Sequence, residues 1–203
     1  MTKNLKFGLP EIYIGPGEFA VSREPVIIST LLGSCISVAL FDLDVPAGGL
    51  NHFLLPSPKS GSVFSESGRY GVHAMELLIN DLLKLGVSRR RLRAKVFGGS
   101  AMLSYREKAV YNVPKMNIQF IFEFLDLEKI PVDSYSVGGD LPRKVLFFPH
   151  TGKVLMRFTK KTLAALERRE SQYSHELREK SDLTISHLFR GEKTGGTGVE
   201  KKE

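Results

Sequence analysis

The single cysteine of this 203-residue chain, Cys35, follows Gly33-Ser34 and opens an apolar run, Ile36-Ser37-Val38-Ala39-Leu40-Phe41. A second apolar run, Gly48-Gly49-Leu50-Asn51-His52-Phe53-Leu54-Leu55, carries one of the five histidines. A thiol beside an imidazole makes a nucleophile, because the imidazole takes the proton and the thiolate attacks acyl carbons. The backbone N–H of Cys35, with a neighbour from the Gly33-Ser34 turn, would supply the complementary part, a cradle for an oxyanion. Gly98-Gly99, after the Arg93–Phe97 strand, offers a second backbone nest for an oxyanion or substrate, or a plain turn. Each residue also has a plainer reading. A lone strand cysteine serves as a small buried hydrophobe, and a lone histidine beside Phe and Leu as a hydrogen-bonded core residue.

The positioning elements are two strands and a reversal. Asp42, Asp44, Pro46, Gly48 and Gly49 read as turn and loop residues. A hairpin centred between Leu43 and Asp44 sets Cys35 directly opposite His52, with Cβ atoms roughly 4.5–5.5 Å apart. A one-residue slip would send the two side chains to opposite faces.

The rest of the chain supplies strands and two clear helices. Ile12–Val21 reads as two short strands about Gly15-Pro16-Gly17, and Val26–Ser29 as a strand feeding the cysteine turn. Gly71–Leu85 repeats Met75, Leu78, Ile79 and Leu82 at helical spacing and stops at Gly86. His73, in its first turn, has no second histidine at ligand spacing and reads as a surface or cap residue. Met116–Leu127 is a second amphipathic helix. Ile130–Val137 is a strand, and Val145–Pro149 with Val154–Phe158 forms a hairpin with His150 at its tip. Ser57–Gly68 is Ser/Gly-rich and reads as a loop or a flap beside the site.

Bulk properties exclude several classes. The length suits one core rather than two. One cysteine permits no internal disulfide and fits a reducing cytoplasm. No apolar run approaches the roughly 20 residues that span a bilayer. The net charge of +7 concentrates in Ser88-Arg89-Arg90-Arg91-Leu92-Arg93-Ala94-Lys95. That stretch lacks interleaved aromatics, which argues against nucleic acid and leaves a solvated connection or an acidic protein partner. The histidines are scattered without paired spacing, so no metal centre and no cofactor is expected.

Leu32-Gly33-Ser34-Cys35, followed by Gly48-Gly49-Leu50-Asn51-His52-Phe53-Leu54-Leu55-Pro56, resembles the CheD family of chemoreceptor glutamine deamidases. The likeness continues through Arg69-Tyr70-Gly71 before the helix, Ala94-Lys95-Val96-Phe97-Gly98-Gly99 and Asn117 before a helix. It ends with Ile130-Pro131-Val132, Gly138-Gly139 with Arg143-Lys144-Val145, and Thr151-Gly152-Lys153-Val154, so that it covers residues 12–158. Each motif alone is weak; the ordered series is specific. The resemblance implies a single-domain α/β sandwich of mixed, largely antiparallel sheets with helices outside. It implies a hydrolase acting on glutamine side chains of methyl-accepting chemotaxis receptors, and a CheC-type phosphatase of CheY-phosphate as partner. In CheD proteins a threonine six positions before the cysteine completes the site; here that position holds Ser29, with Thr30 next to it. The two point to opposite faces of a strand, so only one serves, and alignment favours Ser29.

Outside the resemblance lie residues 1–11, expected to be loose, and residues 159–203. The latter begin as a charged helical stretch with few apolar anchors, expected to be solvated, and end in a Gly-rich disordered tail. Two other functions compete: a non-catalytic adaptor for receptor or phosphatase, and another cysteine hydrolase such as a peptidase or thioesterase.

Overall fold

The computed structural model describes residues 2–55, 66–101, 112–159, 166, 168–177 and 179. Of the expected Ser57–Gly68 loop, residues 57–65 lie outside that set, as does the tail from 191 onward.

The apolar runs become central strands, since a strand buried on both faces has no polar face with which to alternate. β5 (Ile36–Asp42) is buried at all seven positions. β6 (Ala47–Asn51) and β7 (Arg93–Gly98) flank it, both antiparallel. With β3 (Phe19–Ser22) and β8 (Val132–Val137) they form a sheet of order β3-β6-β5-β7-β8. The facing sheet contains β1 (Thr2–Asn4), β2 (Leu9–Tyr13), β4 (Ile27–Leu32), β9 (Arg143–Phe148) and β10 (Lys153–Phe158). Its order is β1-β2-β4-β9-β10. Only the β2–β4 and β7–β8 ladders are parallel among the described residues. The architecture is therefore the mixed, largely antiparallel α/β sandwich that the sequence led us to expect.

Alternation along β5 serves two cores. Ala39 and Phe41 face Ile28 and Phe147 of the other sheet. Ile36, Val38 and Leu40 face α1 (Glu66–Lys84) and α2 (Val113–Leu127) through Met75, Leu78 and Ile121. Full burial of each such aliphatic side chain contributes about 1.5–3 kcal/mol. Arg143 of β9 ties the sheets together, donating to the carbonyls of Ser136 and Gly138 and stacking on Phe158.

Three expectations need correction. The β5–β6 hairpin pairs Asp42 with Ala47 and Leu40 with Gly49, a register two residues from the expected one, with the reversal centred between Asp44 and Val45. Gly48 and Gly49 are strand residues, because β6 runs between packed layers. A Cβ at 48 would stand 2.7 Å from the Phe147 ring, and one at 49 would stand 2.6 Å from Leu78. Residues 2–13 are not loose, since β1 pairs with β2, and β2 pairs with β4.

The basic stretch is largely spent internally. Arg89 bridges Glu76 and Glu128, Arg91 meets Asp42, Arg93 meets Asp133, and Lys95 donates to the Gly152 carbonyl. Residues 168–177, here α3, form a helix packed on the sandwich with Glu170 and Leu177 buried. Residues 168–177 of the charged extension are therefore part of the folded body and not a solvated arm.

Gly48→Ala should lower the stability of the chain by about 1–3 kcal/mol through overpacking. Urea denaturation checks this, and an unchanged midpoint would contradict the close approach of Phe147.

Candidate active site

Residues 33–35 carry the chain from β4 in one sheet to β5 in the other, and three contacts pin this turn. Gly99 N–H donates to the Cys35 carbonyl at 2.8 Å, and Ser100 N–H to the Gly33 carbonyl at 2.7 Å. Asn117 of α2 donates to the Ser34 carbonyl at 2.9 Å and accepts Leu55 N–H at 2.8 Å. Gly98 has φ +115°, and any Cβ there would collide with the Cys35 carbonyl oxygen. Gly98-Gly99 is thus a bed for the cysteine turn. It is not an oxyanion nest, because the Gly99 N–H is already bonded to Cys35. Asn117 sits inside α2 rather than before it.

The β5–β6 ladder breaks beside the turn. Asn51 Oδ1 accepts Val38 N–H at 2.9 Å, and pairing resumes between Ile36 and Phe53. A register shift of two preserves faces. Cys35 and His52 therefore still share a side, as diagonal rather than direct neighbours. Cys35 Sγ, one imidazole nitrogen of His52 and a Glu170 carboxylate oxygen lie within 4.8 Å of one another, and all three residues are buried.

Thr30, not Ser29, meets the imidazole. Thr30 Oγ1 lies 2.8 Å from His52 Nδ1 and donates its proton to the Ile14 carbonyl, also at 2.8 Å. A hydroxyl has one proton to give, so Nδ1 carries the hydrogen of that contact and Nε2 keeps its lone pair. Nε2 has no hydrogen-bond partner among the described residues. Ser29, one residue earlier and on the opposite face, donates to Glu11 at 2.6 Å. Burial pushes the His52 pKa down to about 3, against a raising contribution from the Ile14 carbonyl.

The Gly33-Ser34 turn already holds an anion-shaped group. Gly33 N–H donates to Glu170 Oε1 at 2.9 Å, Ser34 N–H to Oε2 at 2.9 Å, and the Ser34 hydroxyl to Oε2 at 2.5 Å. Burial, then the neighbouring Glu170 charge and its hydrogen bond, raise the Cys35 pKa well above the ordinary thiol value. Cys35, His52 and Glu170 match zinc ligands in type. Yet converging N–H and O–H donors build a site for an anion rather than a cation, and they engage both Glu170 oxygens. A cavity of about 80 Å³ opens beside His52, lined also by Gly17, Tyr70, His73 and Tyr173, with room for water. His73 thus sits at the mouth of the site as an exposed residue of α1.

A nucleophile, a base with a fixed tautomer and an oxyanion cradle together can perform acyl transfer. The family model described as CheD chemotactic sensory transduction matches residues 54–158. The chain belongs to the CheD family. A probable chemoreceptor glutamine deamidase CheD 1 of Dechloromonas aromatica (strain RCB) is 46% identical over 152 residues, covering 75% of each chain. A protein of the same description from Shewanella oneidensis is 46% identical over 165 residues, covering 80% of this chain and 79% of that one. A probable chemoreceptor glutamine deamidase CheD of Herminiimonas arsenicoxydans is 42% identical over 177 residues, covering 86% of each.

In this CheD chain the residue that sequence reasoning missed is Glu170. The one signal for it was the spacing of Leu166, Glu170, Tyr173 and Leu177, one face of a helix hidden in a charged stretch.

Thr30→Val should abolish the downfield Nδ1–H resonance of His52 in nitrogen-resolved NMR, and Ser29→Ala should leave it in place. The depressed His52 pKa also has a consequence for stability. The unfolded imidazole takes up a proton near its ordinary value of 6.5, and the native one only near 3. Its stabilising contribution is therefore complete above pH 6.5 and is lost as pH falls towards 3. Urea midpoints measured between those limits should fall more steeply for the native chain than for His52→Gln.

Proposed function

We propose that this CheD chain hydrolyses the side-chain amide of glutamines in methyl-accepting chemotaxis receptors. The observation that carries this reading is the meeting, at one buried point, of the Cys35 thiol, the Thr30-oriented His52 and the paired N–H groups of Gly33 and Ser34. The relatives' descriptions as chemoreceptor glutamine deamidases support the substrate.

The chemistry runs in two halves. Cys35 gives its proton to His52, and its sulfur attacks the carboxamide carbon. The carbonyl oxygen becomes an oxyanion, held by the N–H groups of Gly33 and Ser34; one such donor is worth about 10²–10³ in rate. His52, now an imidazolium, protonates the departing nitrogen, which leaves as ammonia. Water, activated by the free Nε2 of neutral His52, then cleaves the thioester and leaves glutamate. Thr30 acts through His52 and is a positioning residue, as Asn117 is for the cysteine turn. Family members are also associated with removing receptor methyl esters, which the same acyl chemistry accommodates.

No described helix is long and apolar enough to cross a membrane. We place the protein in the cytoplasm, acting on the cytoplasmic helices of receptors, with a CheC-type phosphatase of CheY-phosphate as a further partner.

The test is ammonia release together with mass spectrometry of a receptor cytoplasmic fragment. Amide-to-acid conversion at defined glutamines should be lost with Cys35→Ala and His52→Ala, and Thr30→Val should slow it about 10²-fold or more. A native chain that binds the fragment and leaves every glutamine intact would make it an adaptor. A new amino terminus in the fragment would make it a peptidase.

A further inference from the structure

Glu170 takes no part in the two half-reactions, yet it fills their centre. Its carboxylate holds the donors that an oxyanion needs, within 4.8 Å of the nucleophilic sulfur. It arrives on a helix. Leu166, Glu170, Tyr173 and Leu177 form one face of that helix. Leu166 and Leu177 are buried at 3% and 5% exposure, whereas Arg169, Gln172, His175 and Glu176 face outward. Tyr173 packs against the cluster that contains Cys35, Leu54 and Phe97. It also lies so close to Gly17 that a Cβ there would stand 2.7 Å from the phenol oxygen.

We propose that α3 occupies the groove that receives the substrate helix, with Glu170 in the position of the glutamate product. The proposal rests on the deamidase reading above. The carboxylate that deamidation leaves on a receptor helix and the Glu170 side chain are the same chemical group on the same kind of scaffold. The chain is therefore self-blocked in this arrangement, and α3 must leave before a receptor helix enters. Burial is the main cause of the raised Cys35 pKa, and the Glu170 charge adds to it; that second contribution departs with α3, which fits a resting state. The contacts of α3 also describe the incoming helix. It carries an apolar residue four positions before the target glutamine, a large ring three positions after it against Gly17, and an apolar residue seven after.

Glu170→Gln turns the tenant into a substrate. Cys35 sulfur attacks Cδ of the introduced carboxamide, and the C–N bond breaks. Ammonia leaves with a proton from His52. Water then cleaves the thioester, which restores the thiol and leaves glutamate at position 170.

The experiment uses the full chain in its native form and as Glu170→Gln, Glu170→Gln with Cys35→Ala, Glu170→Ala and Leu177→Asp. Peptide mass mapping should find glutamate at position 170 in the first Glu170→Gln variant and glutamine in the one lacking the thiol. Iodoacetamide should alkylate Cys35 about 10-fold or more faster in Glu170→Ala, which loses hydrogen bonds to a charged group. Leu177→Asp, which loosens α3 away from the cysteine turn, should also be alkylated faster. An amide retained at position 170 by a Glu170→Gln chain that still deamidates a receptor fragment overturns the proposal and leaves the deamidase reading standing. Alkylation no faster than native in both Glu170→Ala and Leu177→Asp also overturns it. An amide retained there with no receptor deamidation by any form removes the deamidase reading, and the product role of Glu170 with it.

Discussion

A hydrogen bond between Thr30 and His52 joins the two sheets at the site. Thr30 belongs to β4 of one sheet, and His52 follows β6 of the other. Their 2.8 Å contact fixes the ring and its tautomer, because the Thr30 proton is already committed to Ile14. Everything around that contact keeps it short. Gly48 and Gly49 let β6 lie close beneath the facing sheet and α1, and Gly98 lets the cysteine turn settle onto β7. Asn117 holds the turn to the segment after His52. The residues that read as flexible in sequence are here the ones that allow layers to approach.

Much of the arrangement was legible because it follows from patterns short in sequence. The apolar runs of β5 and β6, the amphipathic periods of α1 and α2, and the Cys35–His52 pairing on one face needed only local rules. The register was missed by two residues because Pro46, Gly48 and Gly49 looked like loop, and turn length is set by packing that sequence does not display. Only the parity of that error mattered to the chemistry, since an even slip preserves faces. Ser29 and Thr30 could not be told apart by type, as both carry a hydroxyl. Which of them faces His52 depends on the phase of β4 against β9, where Ser29 pairs with Leu146 and Thr30 with Val145.

Glu170 was illegible for a different reason. Charged residues near a chain end are normally solvated, so a buried one is not what the pattern suggests. Its donors lie more than 130 residues away in sequence, in the turn before Cys35. The basic stretch is the opposite case. Its charge left a solvated connection or an acidic protein partner open, while the fold spends Arg89, Arg91 and Arg93 on Glu76, Glu128, Asp42 and Asp133. Such part-exposed pairs contribute little individually, so their presence says more about connection than about stability.

The Glu170 clamp also limits what the site can be. A carboxylate removed from water costs several kcal/mol unless donors replace its hydration. Gly33 and Ser34 supply those donors from a backbone held by Gly99, Ser100 and Asn117. A cradle rigid enough to hold that carboxylate needs no reorganisation when an oxyanion forms in the same place, which is the condition for electrostatic catalysis. On the proposed mechanism, a cradle weakened towards its tenant is weakened towards the transition state as well. On the proposed self-blocking, control of occupancy resides in the other partner, in how firmly Leu166, Tyr173 and Leu177 hold α3 to the sandwich. That face holds the sandwich through two buried leucines and one aromatic ring, whereas the cradle is held separately by Gly99, Ser100 and Asn117, so a change in the first leaves the contacts of the second in place.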